Sequence, residues 1–404
     1  MNMRSIHYQL RASLRRAARR VRGLNEQVVT WSPPAGVPVR GRVLLSYIID
    51  GVRARDKAAL PHSHTHFWET RAMATIFRDE GYVVDVIHWT RRGALPRLDY
   101  DIYVDVRRNF VRYARQLPDT CLKIAHMDTA HHRVHNGHQR QRLQALQARR
   151  GITLAPVKLI EENEAAEQAD LVTVLGNEFT MESYAGTGTP VRRIPLSNAF
   201  LYPFPDDRNM AQARHRYLWL GSEGFVHKGL DLVLEAFAGM PDHELTVCGP
   251  LESEPAFLKA FATELYQRPN IHVQGWIDVG QPAFQELTRQ HLGFIYPSCS
   301  EGGGGCVLTA MHAGLIPVVT RAASVDVDAS CGRLLPTATV AAIQETVHAL
   351  SAMPVPDLLE LARTAWARAR QHHTRDQFIQ SYRKFVRSLP ETLAAKRTTK
   401  GAHS

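Results

Sequence analysis

Glu301 stands directly before four consecutive glycines, Gly302, Gly303, Gly304 and Gly305, within FIYPSCSEGGGGCVLTAMHAGLIPVVT at residues 294–320. The pattern predicts a strand ending at Tyr296, a loop holding Ser300 and Glu301, and a helix opened by the glycines. Glycine lets backbone approach a ligand closely, and a helix start offers free N–H groups and the positive end of a dipole. That combination suits a diphosphate, with Glu301 accepting hydrogen bonds from sugar hydroxyls. A second stretch, LWLGSEGFVHKG at residues 218–229, predicts a strand ending in Gly221, a loop with Ser222, and Lys228-Gly229 at the start of a helix. Lys228 can reach a phosphate from there. Taken singly, a glycine run fits a surface loop and a lysine fits a solvated helix start; the order strand, acid, glycines, helix favours a ligand site.

Histidines form two clusters: His62, His64 and His66, then His126, His131, His132, His135 and His138. His126 closes a strand pattern and is expected to face a cleft. His131 and His135 have a spacing that can bind zinc on a helix. No HExxH occurs, Arg133 lies between them, and the chain holds 20 histidines, so clusters arise by chance. No metal site is expected.

These segments need elements to position them. Apolar, β-branched runs predict strands at 42–48, 82–88, 101–106, 121–126, 171–175 and 193–196, with helices at 67–80, 139–149 and 161–169. A second series has strands at 217–220, 245–248, 271–275, 292–296 and 316–320. Its helices fall at 230–238, 255–267, 282–291, 306–313, 340–351 and 357–372. Strands alternating with helices mean parallel sheets covered on both faces. The expected class is α/β: two doubly wound Rossmann-like domains facing each other across a cleft. Ligands in such folds sit beyond the carboxyl ends of the strands.

Composition narrows the classes. The chain has 404 residues, 44% hydrophobic and 22% charged, with 49 Lys plus Arg against 39 Asp plus Glu, a formal charge of +10. These values exclude a mainly disordered, collagen-like or coiled-coil chain. No apolar run is long enough to span a membrane. The 5 cysteines are scattered without a CxxC pair, which reads as reduced thiols in a cytoplasmic protein. Residues 1–23 hold seven arginines and no acid, with Ile6, Leu10, Leu14, Ala17 and Val21 at helical spacing. Such a basic amphipathic arm fits an anionic membrane surface through residues 1–22; a solvated arm or a transit peptide are the other readings. No aromatic-rich basic motif points to nucleic acid.

With these motifs in order, the second half resembles the donor-binding domain of retaining glycosyltransferases of the GT-B architecture. It is similar in particular to the family 4 type, also called glycosyltransferase group 1. The resemblance rests on Gly221, Lys228-Gly229, Ser300-Glu301-Gly302, the run AGLIPVV at 313–319 and CGRLL at 331–335. It implies a nucleotide-diphosphate sugar as donor, a glycan or lipid-linked acceptor in the first domain, and transfer with retention. It implies neither metal nor other cofactor. The donor would be bound by Gly221, Ser222, Lys228, Ser300, Glu301, Gly302, Gly303, Gly304, Gly305 and Thr309. The catalytic set would be His126, Lys228 and Glu301, with His131 the alternative histidine. Two departures stand out. Thr309 occupies the place of the family's second glutamate, eight positions after the first, and Ser222-Glu223-Gly224 stands where the family carries an arginine.

The implied domains are a basic arm and linker (1–40), an acceptor-side domain (41–205), a nucleotide-sugar domain (206–372), and a helix returning to the first domain with a polar tail (373–404). A role in surface polysaccharide biosynthesis, at the cytoplasmic face of a membrane, is the expectation. The competing readings are a nucleotide-sugar epimerase of the same architecture and a non-catalytic nucleotide-sugar-binding relative.

Overall fold

The computed structural model describes residues 24–54, 60–62 and 64–401. The basic arm 1–22 lies outside the described residues. The first sheet contains β1 (Val28–Trp31), β2 (Gly41–Tyr47), β3 (Tyr82–His88), β4 (Ile102–Asp105), β5 (Leu122–Met127), β6 (Leu171–Val174) and β7 (Val191–Arg193). Their order is β1-β3-β2-β4-β5-β6-β7. All neighbours are parallel except β1, which runs antiparallel to β3 on the edge. β1 falls within the segment read from sequence as arm and linker. Its exposure alternates between exposed and half-buried, as expected of an edge strand, so no continuous apolar run marks it.

The second sheet holds β8 (Arg216–Leu220), β9 (Glu244–Cys248), β10 (Ile271–Gly275), β11 (Gly293–Tyr296), β12 (Ile316–Val319) and β13 (Arg333–Leu334). Its order is β10-β9-β8-β11-β12-β13, all parallel. The direction of winding reverses between β8 and β11, and a crevice opens there at the carboxyl ends of the strands. Both strands are almost wholly buried, β8 through Tyr217, Leu218 and Trp219 and β11 through Phe294, Ile295 and Tyr296. Burial on both faces explains their unbroken apolar sequences. The chain is thus two Rossmann-like domains.

Two helices predicted from sequence differ in the structure. Residues 161–169 form a turn within a long loop, 151–170, not a helix. Three acids among Glu161, Glu162 and Glu164 give that segment helix-forming residues but no apolar stripe to bury. The helix expected at 255–267 is two, Pro255–Ala260 and Ala262–Gln267, broken at Phe261 (φ −115°, ψ 23°). Phe261 is fully buried and stacks on Phe257 at 4.6 Å, so packing sets the break.

The final helix, Arg375–Gly401, leaves the second sheet and lies against helix His66–Asp79 of the first. Phe378 meets Trp68 (5.6 Å) and Tyr382 meets Phe77 (6.0 Å) edge-on. The domains also meet along helix His132–Arg150. Arg142 donates to Pro297 O (2.9 Å), His138 Nδ1 lies 2.8 Å from Cys299 O, and Arg149 bridges Asp231 and Glu235.

Candidate active site between the domains

A cavity of about 770 Å³ lies between the two domains, where β8 and β11 end. From the second domain it is lined by Gly221, Ser222, Lys228, Glu301, Gly302, Gly303, Gly304, Gly305 and Thr309. The first domain faces them with His64, His66, Arg107, Asp128, Thr129 and Lys158.

Lys228 is placed by the turn that follows it. Gly229 has φ +75° and starts helix Leu230–Ala238, and a Cβ there would lie 2.5 Å from Pro297 Cγ. Only glycine fits this left-handed, tightly packed position. Lys228 Nζ then donates to Tyr296 Oη (3.0 Å) and lies 3.5 Å from Glu301 Oε1. Tyr296 Oη and Ser298 Oγ both donate to the same Oε1, at 2.8 and 2.9 Å. All three partners converge on Oε1, and none of them engages Oε2. Burial alone would raise the Glu301 pKa. Lys228 beside it, with the Tyr296 and Ser298 hydrogen bonds, outweighs burial and holds the carboxyl at about 2. Glu301 is therefore an acceptor at any working pH.

The glycine run opens helix Gly305–His312. Gly305 N–H turns back to Gly303 O (3.0 Å), so it is not available to an anion. Gly303 and Gly304 line the cavity, and among the described residues their N–H groups have no backbone acceptor. Thr309 Oγ donates within the protein, toward Gly305 O (2.9 Å) and Asn198 Oδ1 (3.1 Å). Its single proton is committed, so toward the cavity it can only accept, as from a ribose hydroxyl.

Three expected site residues have other positions. His126 is fully buried and does not line the cavity. β5 runs on through Met127, so His126 is still in the strand, and the pleat turns it toward the helix Arg375–Gly401 side. Its Nδ1 pairs with Thr173 Oγ (2.8 Å), and burial lowers its pKa to about 4. His131 caps helix His132–Arg150 and lies 3.1 Å from Glu167. Ser300 is also fully buried and does not line the cavity; its carbonyl receives His227 Nε2 at 2.6 Å. Burial takes the His227 pKa to about 3, so this histidine is neutral and adds no charge to the site.

Sequence reading missed four groups. Asp128, two residues past His126, reaches the cavity and is ion-paired with Arg107. His66 Nε2 stands 3.9 Å from its other oxygen. Burial opposes the Asp128 charge, but Arg107 and His66 overcome this and hold its pKa well below the carboxylate range. Arg107 adopts φ +75°, rare for a residue with a side chain. Asp278 and Lys158 also line the cavity. Position just past a strand end was the available signal for Arg107, Asp128 and Asp278. Lys158 had none, since it lies mid-loop. Among the described residues, no group of three His, Cys, Asp or Glu side chains is arranged to hold a metal ion. Among them too, no helix is long and apolar enough to cross a membrane.

Beneath the first-domain wall, Glu69 is fully buried; Ser197 Oγ donates to its Oε1 (2.9 Å), and Oε2 has no hydrogen-bond partner among the described residues. Burial raises its pKa to about 7. A carboxyl whose folded pKa is raised favours the folded state below its unfolded pKa, near 4.5, and loses that contribution as pH climbs to about 7. The loss is about 3 kcal/mol. Denaturation midpoints of Glu69→Gln should vary less between pH 4.5 and 7 than those of the wild type; an unchanged slope would show that Glu69 does not carry it.

Residues 214–352 match the family model for glycosyl transferases group 1. No curated protein sequence matches the chain. Among solved structures, the chain is similar to sucrose-phosphate synthase from Thermosynechococcus elongatus, with 15% identity, a TM-score of 0.63, and coverage of 87% of this chain and 100% of that one. It is also similar to HepE from Anabaena in complex with UDP-glucose, with 13% identity, a TM-score of 0.55, and coverage of 87% and 100%. A third is WaaG, a glycosyltransferase involved in lipopolysaccharide biosynthesis, with 16% identity, a TM-score of 0.50, and coverage of 85% and 98%. At these identities the likeness is one of fold, the two-domain GT-B arrangement.

Proposed function

We propose that the chain transfers a sugar, with retention, from a nucleotide-diphosphate sugar to an acceptor hydroxyl on a glycan or lipid-linked glycan. The observation that carries this reading is the coupling of Lys228 and Glu301 beside the glycine-opened helix, at the winding switch of a glycosyl transferases group 1 segment. The UDP-glucose bound by HepE and the lipopolysaccharide role of WaaG support the donor and acceptor classes.

In this reading the diphosphate lies over the N–H groups of Gly303 and Gly304, with Lys228 at its side. Glu301 Oε2 holds a donor-sugar hydroxyl. The bond from anomeric carbon to phosphate oxygen breaks, leaving negative charge on the diphosphate, and preorganised donors of this kind each contribute about 3 kcal/mol. The acceptor hydroxyl enters from the first-domain side and attacks the face that the diphosphate leaves. Its proton passes to the departing phosphate, so no protein nucleophile is needed. The closed cavity keeps water from competing.

A thermal-shift series with UDP, GDP, ADP and CMP and their common sugars tests this. One nucleotide class at about 100 times its dissociation constant should add about 2.7 kcal/mol of stability. Glu301→Ala should shrink the shift for the sugar form and spare that for the bare nucleotide. Absence of a shift with every nucleotide would sink the donor reading.

A further inference from the structure

We propose that Lys158, carried by the first domain, is the second cation of the donor's diphosphate, reaching it from across the cleft. The inference rests on the donor reading above and adds a residue and a domain to it.

Among the described residues, three Lys or Arg side chains line the cavity: Arg107, Lys158 and Lys228. Arg107 is ion-paired with Asp128, and Lys228 with Glu301. His227 is neutral, and burial lowers the His135 pKa as well. The loop Ser222-Glu223-Gly224 on the second-domain side offers no cation. Among the described residues, a diphosphate entering this cavity would meet two ion pairs and one ammonium that is in no ion pair. Among the described residues, Lys158 forms no ion pair. Burial first, and then the nearby Lys228, lower its pKa, and the carboxylates of Glu301, Glu223 and Glu254 offset this only in part.

Lys158 is held in place. His135 Nε2 lies 2.7 Å from Lys158 O, and Asn136 exchanges two hydrogen bonds with Ile160, at 2.8 and 2.9 Å. These tie the loop to helix His132–Arg150, the helix that meets the second domain. The lysine stem then lies on Gly224, which has φ +89°; a Cβ there would come within 2.5 Å of Lys158 Cγ. The second domain thus leaves a gap in its phosphate loop that a first-domain side chain fills. Diphosphate binding becomes dependent on the two domains being together, so the donor is gripped fully only in the closed enzyme.

The test is calorimetric titration of the full chain with UDP, GDP, ADP and CDP and the matching monophosphates, comparing wild type, Lys158→Met and Lys158→Arg. For the diphosphate that the wild type binds, Lys158→Met should weaken binding by about tenfold or more. Lys158→Arg should restore most of the affinity. The ratio of diphosphate to monophosphate affinity should narrow in Lys158→Met; being a ratio within one preparation, it is insensitive to the folded fraction. Equal diphosphate affinity in wild type and Lys158→Met would overturn the proposal and leave the donor reading standing. A wild type that binds none of the four diphosphates would overturn both.

Discussion

Gly302→Ala should lower kcat/KM by about a hundredfold while each domain stays folded. Gly302 is buried where the second domain touches the first, and an added Cβ would overlap Thr129 Cα, Thr129 N and Asp128 O. All three are backbone atoms at the end of β5, so no side chain can swing aside. The wall must retreat, and it carries Asp128, Thr129 and the start of helix His132–Arg150. A displacement near 1 Å between groups that must act together costs on the order of a hundredfold in rate. Thr180 Oγ, which donates to Glu301 O across the same seam (3.1 Å), would be pulled away as well. The readout is kcat/KM beside the melting temperature and small-angle scattering. A variant with wild-type turnover would show that the productive state does not need this closure. Gly186→Ala is the internal control, since its Cβ would meet nothing within 4 Å and Gly186 does not line the cavity.

The second domain was legible from sequence because its chemistry and its fold share the same residues. Buried parallel strands read as unbroken apolar runs, and the site loops follow directly from their ends. Lys228, Glu301 and the glycines could be placed without knowing any contact between distant parts of the chain. The first domain resisted for the converse reason. His126 and Asp128 differ by position along the chain: β5 runs through Met127, so His126 stays inside the buried strand and Asp128 is the residue just past its end. The loop 151–170 has no periodicity, so nothing local locates Lys158 against Gly224. β1 is an edge strand paired only on one side, and its pattern is too weak to separate from a linker. Residues whose position is fixed by pairing across domains leave little trace in their own neighbourhood.

Lys228→Met should abolish most turnover, by about a hundred- to thousandfold, and should also destabilise the fold, because the two effects have separate causes. The catalytic loss comes from removing a cation from the departing diphosphate. The stability loss comes from leaving Glu301 in a largely buried place without its ion-pair partner. In the wild type the Glu301 pKa of about 2, below its ordinary 4.5, means that its contribution is present above pH 4.5 and is lost as pH falls toward 2. That shift corresponds to about 3 kcal/mol. Removing one partner of such a pair costs a comparable amount, about 3–5 kcal/mol at neutral pH. In the variant the sign reverses: burial raises the pKa, so acidification toward pH 4.5 recovers stability by protonating Glu301. The double variant Lys228→Met/Glu301→Gln separates the two causes. With the uncompensated charge gone, Tyr296 and Ser298 can still donate to the amide oxygen, and the melting temperature should return most of the way to wild type. Turnover should not return with it. If activity recovers along with stability, Lys228 serves only to neutralise Glu301, and the diphosphate must draw its charge from the helix start and from the opposite wall of the cleft.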